Sequence, residues 1–142
     1  MLLKKLIVVR HGYYENESLT PEGRRQIEAL AALLSPIVNG LSVTLLSSTA
    51  VRAVETSEIL AGVLGGIPFD RFEFLYSWGN RLRAENKQPA LEIVDQRGET
   101  HEVVILSTHF EFIQDFPSAW GTSSRACYPH KRRGFQGKRQ RS

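Results

Sequence analysis

The chain has 142 residues, 42% of them hydrophobic, enough for one domain with a buried core and short for two. Its only cysteine, Cys127, excludes an intrachain disulfide and leaves a Cys/His zinc cluster short of thiols, so a reducing, cytosolic setting is expected. The net charge of +3 hides a segregation: residues 1–115 carry 11 Lys/Arg against 15 Asp/Glu, a net of −4, whereas residues 116–142 carry seven Lys/Arg and no acid, a net of +7.

In chain order, the N-terminal "MLLKKLIVV" has too short an apolar run for a signal peptide, and no stretch reaches the roughly 18–20 apolar residues of a membrane span. A soluble, unexported protein is the expectation. "KKLIVVR" is a β-branched run that suits a strand buried on both faces. "LTPEGRRQIEALAALL" predicts a helix: Thr20 can cap, Pro21 fits the first helical position, Glu22 complements the dipole, and Ile27, Leu30, Ala31 and Leu34 share a face. After the turn-like "VNG", "LSVTLLSS" reads as a second buried strand, and "TAVRAVETSEILAGVLGG" as a helix stopped by Gly65 and Gly66. "EVVILSTHF" is a third buried strand, followed in "EFIQDFPSAWG" by a short helix broken near Pro117. Strands alternating with helices predict an α/β three-layer sandwich, a mostly parallel sheet with helices on both faces. The domain is expected over residues 1–130. From Lys131, "KRRGFQGKRQRS" has one large apolar residue among 12 and reads as a mobile basic tail, the only part of the chain suited to nucleic acid.

Function in open α/β sheets gathers beyond the carboxyl ends of the strands. Here three such ends carry unusual residues: Arg10, His11 and Gly12 after the first strand, Arg52 just after the second, and His109 after the third. If these strands are neighbours, two imidazoles and two guanidiniums meet. Arg52 sits in the first turn of its helix, where the positive dipole end disfavours a cation by some tenths of a kcal/mol. An anion there would reverse that penalty, with hydroxyls from Ser47, Ser48 and Thr49 at hand and the guanidinium's planar fork of donors suited to phosphate. A neutral imidazole in such a pocket can attack phosphorus while the cations neutralise its oxygens, provided that the other ring nitrogen keeps a proton on an acceptor such as a backbone carbonyl. Gly12 suits a close backbone approach beside it.

"VVRHG", "LTPEGRRQ", "LLSSTAVRAVETSEIL" and "VVILSTHFEFI", in that order over roughly residues 3–120, resemble the histidine phosphatase superfamily, whose fold is that of phosphoglycerate mutase. The resemblance implies a metal-independent, cofactor-free phosphatase with His11 as nucleophile and Arg10, Arg52 and His109 completing the phosphate pocket. "RFEFLYSWG" resembles the element that carries the family's proton donor and nominates Glu73, with Asp70, Glu85, Glu102 and Glu111 as rivals. Two positions depart from the pattern: Glu17, preceded by Asn16, stands where members often have asparagine, and Phe110 where a glycine often follows the second histidine. The long insertions of the mutases are absent, which favours a phosphatase acting on a small phosphorylated molecule or a phosphoprotein. The alternative is a catalytically silent relative that binds a phosphorylated ligand. His101 and His130 are expected at the surface, and Trp78 and Trp120 in the core.

Overall fold

The computed structural model describes residues 1–117 in full and the backbone of 118–120 and 125–128. The basic segment 131–142 lies outside the described residues. The main sheet is built from β1 (Lys5–Arg10), β4 (Val43–Ser48), β5 (Phe69–Phe72), β6 (Val103–Thr108) and β7 (Arg125–Tyr128), all paired in parallel in the order β5-β4-β6-β1-β7. The expected adjacency therefore holds, with β6 between β1 and β4. A two-residue turn joins β2 (Tyr14–Glu15) to β3 (Ser18–Leu19) as a separate small hairpin. Among the described residues there are four α-helices: α1 (Pro21–Val38), α2 (Val51–Val63), α3 (Ala84–Gly98) and α4 (Phe110–Trp120). None is long and apolar enough, among the described residues, to cross a membrane.

The period-two alternation of each central strand sends its apolar residues to opposite faces, and each face collects its own helices. Ile7, Val9, Leu45, Val103 and Ile105 meet Ile27, Leu30, Ala31 and Leu34 of α1 and Leu60 and Ala61 of α2. On the other side Leu6, Val8, Leu46, Val104 and Leu106 meet Ala90 and Val94 of α3 and Phe112, Ile113 and Phe116 of α4. This is the three-layer sandwich expected from the sequence.

The helix start at Thr20 is as read: its hydroxyl accepts from Gly23 N–H at 3.0 Å, and Pro21 opens the helix. The break expected near Pro117 is absent, because α4 runs through it to Trp120. A mid-helix proline costs about 3 kcal/mol, but Phe112 and Phe116 are completely buried, and each contributes roughly 1.5–3 kcal/mol. Packing outweighs the proline. Three elements have no strong sequence signal. Helix α3 buries only Ala90, Val94 and Gly98, a stripe one residue wide in a polar segment that contains Pro89. Strand β5 is an edge with the sequence FDRF and no apolar alternation. The β2–β3 hairpin turns on Asn16 and Glu17, both with positive φ (50° and 72°), a conformation common for asparagine and unusual for glutamate.

The loop after β1 crosses the first turn of α1 at backbone contact. A Cβ on Gly23 would lie 2.0 Å from the Tyr13 carbonyl oxygen, and one on Gly12 would lie 2.7 Å from the Gly23 oxygen. Both atoms are backbone and cannot swing aside. Gly23→Ala is therefore expected to destabilise the protein by roughly 1–3 kcal/mol in urea unfolding. Gly62→Ala, inside α2 with nothing within 4 Å of the added Cβ, should instead stabilise it by roughly 0.5–1 kcal/mol.

Candidate active site

In-register pairing brings the carboxyl ends of β1, β6 and β4 to one level: Arg10 is opposite Thr108 and Ser107 opposite Ser47. The residues that follow, His11, His109 and, in the first turn of α2, Arg52, line one cavity of ≈ 600 Å³ together with Arg10. His11, His109 and Arg10 are each at least nine-tenths buried. The two imidazole rings meet edge to face with centroids 5.2 Å apart.

His11 Nδ1–H donates to the carbonyl oxygen of Gly12 at 2.9 Å, and Arg52 Nε–H donates to His11 Nε2 at 3.3 Å. Only one neutral tautomer satisfies both contacts: the proton is on Nδ1 and the lone pair on Nε2, facing the cavity's guanidinium. The carbonyl partner expected from the sequence is that of the adjacent glycine. A second hydrogen-bond chain fixes this loop to the arginine's helix. Gly12 N–H donates to Thr56 Oγ1 at 3.1 Å, and the buried Thr56 hydroxyl donates to the Arg52 carbonyl at 2.8 Å.

The arginine is held from its faces as well. Its guanidinium carbon lies 4.5 Å from the Tyr14 ring centroid and 5.8 Å from that of Tyr76, and Tyr14 also meets His11 edge to face at 5.1 Å. Tyr14 is placed by the hairpin, and the hairpin is latched by Glu55, one turn beyond Arg52 on the same helix. The Glu55 carboxylate accepts from Leu19 N–H at 2.7 Å and from the Ser18 hydroxyl at 2.9 Å, with Arg24 at 3.7 Å. Helix α2 thus supplies the guanidinium and, through Glu55, anchors the element that stacks on it. Asn16 and Glu17 form the hairpin turn and are not among the residues lining the cavity.

His109 Nε2 is hydrogen-bonded to Ser48 Oγ at 2.8 Å, and Ser48 Oγ also accepts from Ala50 N–H at 3.2 Å. The hydroxyls expected to face an anion are used otherwise: Ser47 donates to backbone carbonyls of Ser48 and Ala53, Ser48 carries His109, and Thr49 is exposed. None lines the cavity. It is the start of α4, with Phe110 and Glu111, that borders it. Burial holds the His11 pKa well below the ordinary value of 6.5, and His109, Arg52 and Arg10 push in the same direction against the Gly12 hydrogen bond. For His109, burial followed by Arg52 and Arg10 lowers the pKa to about 3. Both rings are therefore neutral at neutral pH, beside two permanent cations.

The upper wall is the segment Ser77–Arg81, clamped from α4: Ser77 Oγ donates to Glu111 Oε1 at 3.1 Å, Gln114 Nε2 to Asn80 O at 2.9 Å, and Leu82 N–H to Asp115 Oδ2 at 2.8 Å. From α3, Asn86 holds the carbonyls of Phe74 and Tyr76. Among the five acids considered from the sequence, Glu111 alone lines the cavity, and it is nine-tenths buried. Glu73 does not meet the expectation. It opens a 3-10 turn, Glu73–Leu75, in which Leu75 takes the buried position and the glutamate the exposed one. Asp70 is paired with Arg97, Glu102 lies at the amino end of β6 against Ser42 and Lys4, and Glu85 is exposed in the first turn of α3. Glu111 was legible as the acid two residues after the second histidine, in a first helical turn. Trp78, expected in the core, is 54% exposed at the cavity wall. Trp120 has no described side chain.

The sequence profile of the histidine phosphatase superfamily, branch 1, matches residues 6–81, more than half of the chain, and the chain belongs to that family. No curated protein sequence matches it. Among solved structures, it resembles SixA of Agrobacterium tumefaciens, a candidate phosphohistidine phosphatase, at 19% identity and a TM-score of 0.60 over 79% of this chain and 74% of that one. A phosphoglycerate mutase of Plasmodium falciparum is similar at 24% identity and a TM-score of 0.63 over 81% and 67%. The protein histidine phosphatase SixA complexed with tungstate is similar at 18% identity and a TM-score of 0.60 over 73% and 69%. These likenesses show the shared fold.

The depressed histidines make stability pH-dependent with a definite sign. Below about pH 6.5 the unfolded chain binds protons at both rings that the folded chain refuses, so stability falls as pH falls, by about 1.4 kcal/mol per pH unit for each ring, and levels off above about pH 7.5. Urea unfolding between about pH 5.5 and 8 should show this slope, and a His11→Gln/His109→Gln variant should flatten it.

Proposed function

We propose that the protein is a phosphatase in which Nε2 of His11 takes the phosphoryl group of a monoester or phosphoramidate and returns it to water, without a metal ion or cofactor. The observation that carries this reading is the tautomer lock on His11, with its lone pair held beside Arg52 and its proton on Gly12 O. In the first half-reaction the Nε2–P bond forms as the bond from phosphorus to the leaving group breaks. Positive charge then develops on the ring, where the Nδ1–H···O contact stabilises it. Arg10, Arg52 and the start of α4 neutralise the phosphoryl oxygens. His109, neutral in the empty site, gains a reason to protonate once a phosphate dianion is bound.

Glu111 replaces Glu73 as the proposed proton donor. It is the cavity's carboxyl group, and with Ser77 on Oε1 its other oxygen can carry the proton that the leaving group requires. Once ionised, it can take a proton from the water that attacks phosphorus as the N–P bond breaks. The tungstate held by one structural relative is an oxyanion of the kind that this cavity's charge would accept. A small phosphorylated molecule or a phosphoprotein is the proposed substrate.

Rapid quenching with a labelled phosphate ester should trap a label on the protein that is stable in base and lost in acid. His11→Ala should abolish it together with turnover, and EDTA should leave the wild-type rate unchanged. An acid-stable label, or one that survives the substitution, would end this mechanism; binding without turnover would favour the silent-relative reading.

The acid is identified by leaving-group dependence in single-turnover phosphorylation. Glu111→Gln should slow an alkyl ester by roughly 10² to 10⁴ and a nitrophenyl ester much less, whereas Glu73→Gln should slow neither. Leaving-group dependence in Glu73→Gln would restore that residue to the role.

A further inference from the structure

Besides its histidines and arginines, the cavity has an aromatic part, with Trp78 and Phe110 in its lining. We propose that this part is a subsite for a planar aromatic or heteroaromatic ring bonded to the phosphoryl group, recognised by Trp78. The inference rests on reading His11, Arg10 and Arg52 as the phosphoryl site.

A cavity of ≈ 600 Å³ has the size of a small-molecule site, and a phosphoryl group fills a minor part of it. The remainder must receive the leaving group. Trp78 forms part of that remainder and is 54% exposed, so its indole is available to a ligand in the cavity. It is nevertheless fixed. Tyr76 meets it edge to face at 5.8 Å, the Arg83 guanidinium lies 4.3 Å from its centroid, and the loop beside it is tied to α4 through Asn80 and Leu82. A rigid exposed aromatic loses little entropy when a ligand stacks on it. Phe110, beneath which Arg10 lies 5.3 Å from the ring centroid, adds a second aromatic to the lining.

Of the polar groups in this region, Gln114 Nε2 donates to Asn80 O and Arg81 lies 3.7 Å from Asp115. A flat ring such as a phenol or an imidazole can stack on Trp78 without drawing on either. Phosphorylated phenol and imidazole groups occur both in free molecules and on proteins, and the chemistry recognised is the same.

Phosphonates test binding without chemistry. By calorimetry, phenylphosphonate should bind the wild-type protein about tenfold more tightly than methylphosphonate or n-butylphosphonate, the scale of one good aromatic contact. Trp78→Ala should erase that advantage and leave methylphosphonate within twofold, and Trp78→Phe should retain part of it. Equal affinity for n-butyl- and phenylphosphonate, or a Trp78→Ala loss shared equally by methyl- and phenylphosphonate, would overturn the ring subsite. Failure of methylphosphonate to bind at all, or binding unaffected by Arg52→Ala, would instead remove the phosphoryl site on which the inference stands. A phosphonomethyl-phenylalanine assayed free and within a peptide assigns the source: equal affinities indicate a small molecule, tighter peptide binding a protein-borne ring, and either supports the subsite.

Discussion

Parallel pairing of β6 with β1 on one side and β4 on the other is the constraint on which everything else in the molecule depends. Val103 is opposite both Lys5 and Val43, so the three strands rise in register and end together. Their continuous apolar sequences are tolerated only because helices cover both faces. Each strand must therefore leave the sheet through a loop at its carboxyl edge. The residues in those loops, from three distant parts of the sequence, are thereby forced into one cavity. Short hydrogen-bond chains refine their positions, with Thr56 joining Gly12 to Arg52 and Ser48 joining His109 to the start of α2.

The site's charge follows from burial. Imidazoles so deeply enclosed beside two guanidiniums resist taking up a second proton, so the cavity combines permanent cations with a neutral His11 ring whose lone pair is directed by its neighbours. Such a site suits an anion, and at neutral pH it keeps the His11 ring in its neutral form. The same burial that makes the ring available also makes the fold sensitive to acid.

Two features set this member's cavity apart from the pattern its motifs resemble. The loop after β1 forms a hairpin in which Glu17, at the position where members often have asparagine, belongs with Asn16 to a two-residue turn, and Tyr14 is laid on Arg52. Where glycine often follows the second histidine, Phe110 and then Glu111 bring an aromatic wall and a buried acid into the lining.

The amino-acid sequence by itself determined the class of fold and four of the residues that line the cavity. Its central strands, α1 and α2 are marked by local physics: β-branched runs, a capped amphipathic stripe, a glycine stop. Arg10, His11, Arg52 and His109 were legible because strand ends are legible, and an arginine in a first helical turn breaks a local electrostatic rule. Helix α3 and edge strand β5 escaped because a narrow or one-sided contact leaves too few apolar residues to make a period. Which of the candidate acids faces the cavity was decided only by the tertiary structure. Whether a glutamate is solvated or enclosed depends on the phase of its own turn and on what packs against it, and Glu73 and Glu111 differ in that alone. The aromatic wall was decided in the same way, since Trp78 looks like a core residue until the placement of the Ser77–Arg81 segment by α4 leaves its indole at the cavity.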